Sequence, residues 1–132
     1  MNIKKLFSFL VAAFIAMGAH AHPGEFADIS LTDVSKLAAT RSAIIIDANG
    51  PDSYQSGHVP TALSYSAIKD NLAAYLPADK TTLIIAYCGN PGCGAYLRAA
   101  KAAKKLGYTN IKHMSAGIDG WRAAGFKTEP GK

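Results

Sequence analysis

Ala86 to Gly107 reads AYCGNPGCGAYLRAAKAAKKLG, and both cysteines of the chain lie in it. The run that leads into it, TLIIAY (Thr82–Tyr87), is continuously apolar and β-branched, as a strand buried on both faces requires. The run that leads out, Tyr96–Leu106, is rich in Ala and Lys. It stops at Gly107, a suitable residue just past a helix C-terminus. Between them, Gly89, Asn90, Pro91 and Gly92 separate Cys88 from Cys93. Strand, glycine loop and helix follow one another directly. Glycines let the backbone approach a ligand closely, and the first N–H groups of a helix have no partner inside it. Such a unit can aim several N–H groups at one centre and form an anion cradle from Gly89, Asn90, Pro91, Gly92, Cys93 and Gly94. If the anion is the Cys88 thiolate, its pKa falls and its reactivity rises. The two cysteines can be read as a metal half-site, a disulfide, or a nucleophile with a partner.

The same alternation extends outward. AIIID (Ala43–Asp47) and NIKHM (Asn110–Met114) are further strand candidates, and FADISL and ALSYS are shorter ones. Thr32 can cap a helix over Asp33–Ala39. Pro51 suits the first position of a helix in PDSYQSG. Further helices are expected over Ala67–Leu76, ending before Pro77, and over Ile118–Ala124, ending at Gly125. The pattern is α/β with a central, mostly parallel sheet. In such sheets ligands bind beyond the carboxyl ends of the strands. Asp47 and Cys88 end the two strongest strands and are expected to share one rim.

The N-terminus, MNIKKLFSFLVAAFIAMGAHAHP, has the form of a secretory signal: Lys4 and Lys5, an apolar run too short for a comfortable membrane span, and Ala19-His20-Ala21. Cleavage after Ala21 is expected, which places the protein in the periplasm or outside the cell, with no membrane association once the leader is gone. The remainder is one domain by length. The net charge of +5 over the chain drops by two with the leader's lysines, and no arginine-rich block occurs. Nucleic-acid binding is therefore not expected. The divisions are a leader at 1–21, a lead at 22–28, a domain at 29–128 and a loose polar tail at 129–132.

Three motifs in order, IIIDANGPDSYQSGHVPTAL, LIIAYCGNPGCGAYLRAAKAAKKLGY and NIKHMSAGIDGWRAAGF, resemble those of rhodanese-like (sulfurtransferase) domains. The loop C-x-N-P-x-C looks like a recurrent subgroup. The resemblance implies a three-layer α/β/α fold with a central, mostly parallel sheet, and a catalytic cysteine after a central strand, which by position is Cys88. It implies transfer of sulfane sulfur from a small anionic donor, thiosulfate or a persulfide, to a thiol or cyanide through a cysteine persulfide. Neither a metal nor an organic cofactor is implied. Two positions depart from the family's pattern. Asn49 stands where many members have an arginine, and Cys93 where many have a basic residue near the loop's end. The residue six after Cys88 is Gly94, which argues against the cysteine phosphatases and arsenate reductases that close this loop with arginine.

A structural zinc needs four ligands, and His22, His58 and His113 are not at paired ligand spacings. A purely structural disulfide across so short a ring gains little. A redox-active pair fits better, with Cys93 as a resolving thiol for Cys88. Supporting residues are Asp47, capping local N–H groups, and His58, whose ring fixes loop backbone. Arg98, which is the cation nearest the loop, is placed to attract an anionic donor. Trp121 is expected in the core. A thiol–disulfide redox protein and a catalytically silent binding domain of the same family are the alternatives.

Overall fold

The computed structural model describes residues 24–132; the leader expected over 1–21 and its cleavage point lie outside them. The strand runs of the sequence become β1 (Ala27–Asp28), β2 (Ile44–Asp47), β3 (Leu63–Ser64), β4 (Ile84–Tyr87) and β5 (Ile111–His113). They form one sheet in the order β1-β5-β4-β2-β3, and every pairing is parallel. β4 is central, and all four of its residues are buried. That is why its sequence is continuously apolar rather than alternating.

Helices α1 (Leu31–Ala39), α2 (Pro51–Ser56), α3 (Tyr65–Ile68), α4 (Tyr96–Lys105) and α5 (Gly117–Ala123) complete the fold, with a 3₁₀ helix over Lys69–Tyr75. Two cores lie on the two sides of the sheet. Ile84, Ala86 and Cys88 pack with Ala99, Ala100 and Ala103 of α4 and with Ile68 and Leu72. Ile85 and Tyr87 pack with Val34 and Ala38 of α1 and with Ile118 and Trp121 of α5. Alternate residues of one strand thus serve opposite layers, giving the three-layer α/β/α arrangement. The alanines of α4 sit at helical spacing and let it lie close to the sheet. Each fully buried isoleucine of β4 contributes about 1.5–3 kcal/mol.

Four sequence expectations change. Ser30, not Thr32, caps α1, accepting the Asp33 N–H at 3.1 Å, so the helix starts at Leu31. The helix expected over Ala67–Leu76 is instead α3 followed by a 3₁₀ segment, broken at Asn71, whose φ is −141°. Asparagine is a weak helix former, and neighbouring residues tighten into 3₁₀ turns. The polar tail is not loose. Glu129 pairs with His58 as an antiparallel bridge, and the Gly131 N–H donates to the Gln55 carbonyl. FADISL yields strand only at Ala27–Asp28.

Candidate active site

β2 and β4 are hydrogen-bonded neighbours, with Asp47 in register with Tyr87. Asp47 and Cys88 therefore leave the same carboxyl edge of the sheet. Asp47 is buried. Its Oδ1 accepts the Asn49 N–H at 2.7 Å, and its Oδ2 accepts the Tyr87 hydroxyl at 2.6 Å. That hydroxyl in turn accepts the Val59 N–H at 3.0 Å. Burial, reinforced by the nearby Asp47 carboxyl, pushes the Tyr87 phenol far above its ordinary pKa. The hydroxyl thus stays protonated and remains a donor to the carboxyl. Asp47 is occupied as a brace between loops, in keeping with a capping role.

Cys88 is 1% exposed and belongs to the core on the α4 side. A disulfide joins it to Cys93, with Cα atoms 6.3 Å apart. Its Sγ also lies 3.3 Å from the Cys93 carbonyl oxygen.

The loop is folded on itself: Asn90 Oδ1 accepts the Gly92 N–H and the Asn90 carbonyl accepts the Cys93 N–H, both at 3.0 Å. Two of the N–H groups expected to line a cradle are thereby used within the loop. Those of Gly94, Ala95 and Tyr96 meet no protein acceptor among the described residues. From behind, α5 holds the loop's entry. The Ile118 N–H donates to the Cys88 carbonyl and the Asp119 N–H to the Gly89 carbonyl, both at 2.9 Å. Gly117 makes this approach possible. Its φ is +66°, and a Cβ there would overlap the Gly89 carbonyl.

The other residues singled out in the sequence fall in two places. Arg98, with Lys69, Tyr65, Asn49 and Ala95, lines a cavity of about 490 Å³ beside the loop. His58 makes its contacts elsewhere: its ring stacks on Tyr54, Nδ1 lies 3.0 Å from the Tyr54 carbonyl, and Nε2 lies 4.0 Å from Glu129. Those contacts fix loop backbone and do not include the cysteine loop. Lys101 and Lys104 of α4 pair with Glu25. A second cavity of about 540 Å³, bounded by Arg41, Thr61, Trp121 and Lys127, holds no cysteine.

Three features were missed in the sequence. Lys69 and Tyr65 share Arg98's cavity, which only the packing of α3 and the 3₁₀ segment against α4 reveals. Asn49 stands out in the sequence as a departure, but its geometry does not: its Nδ2 is a buried donor with no protein partner, and its Oδ1 lies near Gly89. Tyr96, opening α4, stacks on His113 of β5 with ring centroids 3.3 Å apart. Burial lowers the His113 pKa, an effect partly opposed by Asp28. No group of three or more His, Cys, Asp or Glu side chains placed to hold a metal ion occurs among the described residues.

Cys88 leaves the central strand of a parallel α/β/α sheet into a loop that opens a helix, and residues 30–124 match the model of the rhodanese-like domain. The chain belongs to that family. It is 28% identical to the thiosulfate sulfurtransferase GlpE of Pseudoalteromonas translucida, across 75% of this chain and 91% of the relative. Among solved structures, the BH2092 protein of Bacillus halodurans matches with a TM-score of 0.63 and 25% identity, covering 79% of this chain and 77% of that one. The human single-domain sulfurtransferase TSTD1 matches with a TM-score of 0.58 and 21% identity, covering 73% and 95%.

Proposed function

We propose that the protein is an exported sulfurtransferase that carries sulfane sulfur as a persulfide on Cys88. The Cys88 thiolate attacks the outer sulfur of thiosulfate or of a small persulfide. The S–S bond of the donor breaks, sulfite or a thiolate leaves with the electron pair, and Cys88 holds the transferred sulfur. A thiol or cyanide then takes that sulfur and releases the Cys88 thiolate. This is nucleophilic covalent catalysis. The opening N–H groups of α4 supply electrostatic stabilisation to the persulfide anion, and Arg98 and Lys69 draw the donor's charge toward the cavity beside the loop. Neither step calls for a metal or an organic cofactor.

The observation that carries this reading is the position of Cys88 at the carboxyl end of the central strand, within bonding reach of Cys93. The disulfide favours one elaboration. Cys93 acts as a resolving thiol: it attacks the inner sulfur of the Cys88 persulfide, forms the Cys88–Cys93 bond and expels hydrosulfide. The same disulfide keeps a thiol–disulfide exchange role as the second reading.

Intact mass spectrometry of protein recovered from the exported fraction tests the proposal. The chain should begin at His22. After reduction and exposure to thiosulfate, Cys93→Ser should be heavier by one sulfur atom, wild type should pass on to the Cys88–Cys93 disulfide and lose that sulfur, and Cys88→Ser should gain none. A Cys88→Ser variant that still gains sulfur and transfers it to cyanide would refute the assignment. Recovery of the soluble exported form with Met1 intact would refute cleavage.

A further inference from the structure

The two sulfurs of the disulfide occupy different environments. Cys88 is enclosed in the core, whereas Cys93 is half-buried on a loop whose flanking residues Asn90, Pro91, Gly92 and Gly94 are all exposed. Thiol–disulfide exchange requires a thiolate to approach one sulfur in line with the S–S bond, from the side away from the other sulfur. Of the two cysteines, only Cys93 is open to solvent, while Cys88 is enclosed in the core on the α4 side, so an external thiolate is expected to attack Cys93 Sγ. The loop tip also leaves room for a second backbone, since nothing lies within 4 Å of where a Cβ on Gly94 would stand.

When Cys93 is attacked, the thiolate that departs is Cys88. The closeness of the two cysteines then selects the attacking reagent. A monothiol that opens the bond leaves a mixed disulfide on Cys93, and Cys88, at high effective concentration, displaces it again. A dithiol escapes this return, because its second thiol attacks its own sulfur in the mixed disulfide.

We propose that the exposed tip at Asn90–Gly94 is the docking point of a protein dithiol, which reduces the disulfide by attacking Cys93 Sγ. This rests on the sulfurtransferase reading for how the disulfide arises in turnover. The partner's first thiolate bonds to Cys93 Sγ, the Cys88–Cys93 bond breaks, and Cys88 leaves as the thiolate. The partner's second thiol, losing its proton, then attacks the partner sulfur. The partner is oxidised to its own disulfide, and Cys93 is released and takes up a proton. Joined to persulfide formation and resolution by Cys93, one cycle with thiosulfate yields sulfite and hydrosulfide at the expense of one dithiol. The protein is then a dithiol-dependent reductase of sulfane sulfur, and the sulfur need not pass to an outside acceptor.

The test uses the oxidised wild-type protein and, as probe, a thioredoxin whose second active-site cysteine is replaced by serine. The mixed disulfide is quenched in acid, alkylated and mapped by peptide mass. At least about tenfold more adduct is expected on Cys93 than on Cys88. Intact thioredoxin should reduce the protein at least roughly a hundredfold faster than 2-mercaptoethanol at equal thiol concentration. Adduct mainly on Cys88, adduct divided evenly, or equal rates with dithiol and monothiol would overturn the proposal. The mapping does not depend on sulfur transfer. Adduct on Cys93 in the wild type, with a Cys93→Ser variant that gains no sulfur from thiosulfate, would sink the transferase reading and leave the docking surface standing. The converse result would do the opposite.

Discussion

The loop after β2 and the loop after β4 leave neighbouring strand ends, but different forces hold them. At the first, Asp47, Tyr87 and Val59 are tied by buried hydrogen bonds that join three segments distant in sequence. At the second, the bonds are the loop's own backbone turns, two amides from α5 and one covalent link. A buried polar network is rigid because each member is costly to leave unpaired. A ring as short as that closed by Cys88 and Cys93 contributes only about 2 kcal/mol in the chain-entropy model. The contrast suits the proposed chemistry, in which the β2 loop stays fixed while the cysteine loop exchanges bonds.

The largest effect is expected where the two kinds of support meet. Gly117 lets α5 press its first amides onto the carbonyls of Cys88 and Gly89, and no side chain fits there. Gly117→Ala adds a Cβ at positive φ against backbone that cannot yield. It should cost roughly 4 kcal/mol or prevent folding. Urea denaturation measures it. A loss below about 1 kcal/mol would mean that the loop moves freely away from α5.

That support was only partly legible in the sequence. The strands were plain because buried parallel strands are continuously apolar, so Ile84–Tyr87 and Ile44–Asp47 announced both the sheet and the rim where Cys88 sits. The glycine turn before α5 was visible as a motif, but its contact with Gly89 is tertiary. Asp47 was read as a local cap, and its bond to the Asn49 N–H is local. Its bond to Tyr87 could not be read, because β-strand pairing alone brings those side chains together. The break at Asn71 and the tethered tail were missed because each turns on a single residue: one weak helix former inside an otherwise helical run, and a one-residue bridge to His58.

The next effect sharpens the β2 side of the comparison. Tyr87→Phe keeps the buried ring but deletes the hydroxyl that serves both Asp47 Oδ2 and the Val59 N–H. Two buried groups lose a partner together, so a loss of about 2–4 kcal/mol is expected. That equals or exceeds the contribution of the disulfide. The check is thermal unfolding of Tyr87→Phe beside wild type with and without reductant. If reduction lowers the midpoint more than the substitution does, the cysteine loop is the more strongly held of the two.

The smallest effect concerns the far side of the cysteine loop, where His113 of β5 stacks beneath Tyr96. Burial lowers the His113 pKa in the folded protein, while the unfolded chain titrates near the ordinary value of about 6.5. Above that pH both states are neutral and the folded state keeps its full stability. As pH falls below it, the unfolded chain takes up a proton that the folded protein resists, and stability declines until the folded value is passed. The Asp28 carboxyl opposes the shift and the site is partly screened by water. The loss should therefore stay below about 1 kcal/mol. His113→Phe preserves a flat ring against Tyr96 and removes the proton. Urea midpoints at pH 8 and pH 5 should fall less in the variant than in wild type, the difference isolating His113 from the carboxylates and His58 that both proteins share. A variant whose midpoint falls as far as wild type would show that His113 protonates freely. The stack would then not hold the start of α4 as a desolvated contact.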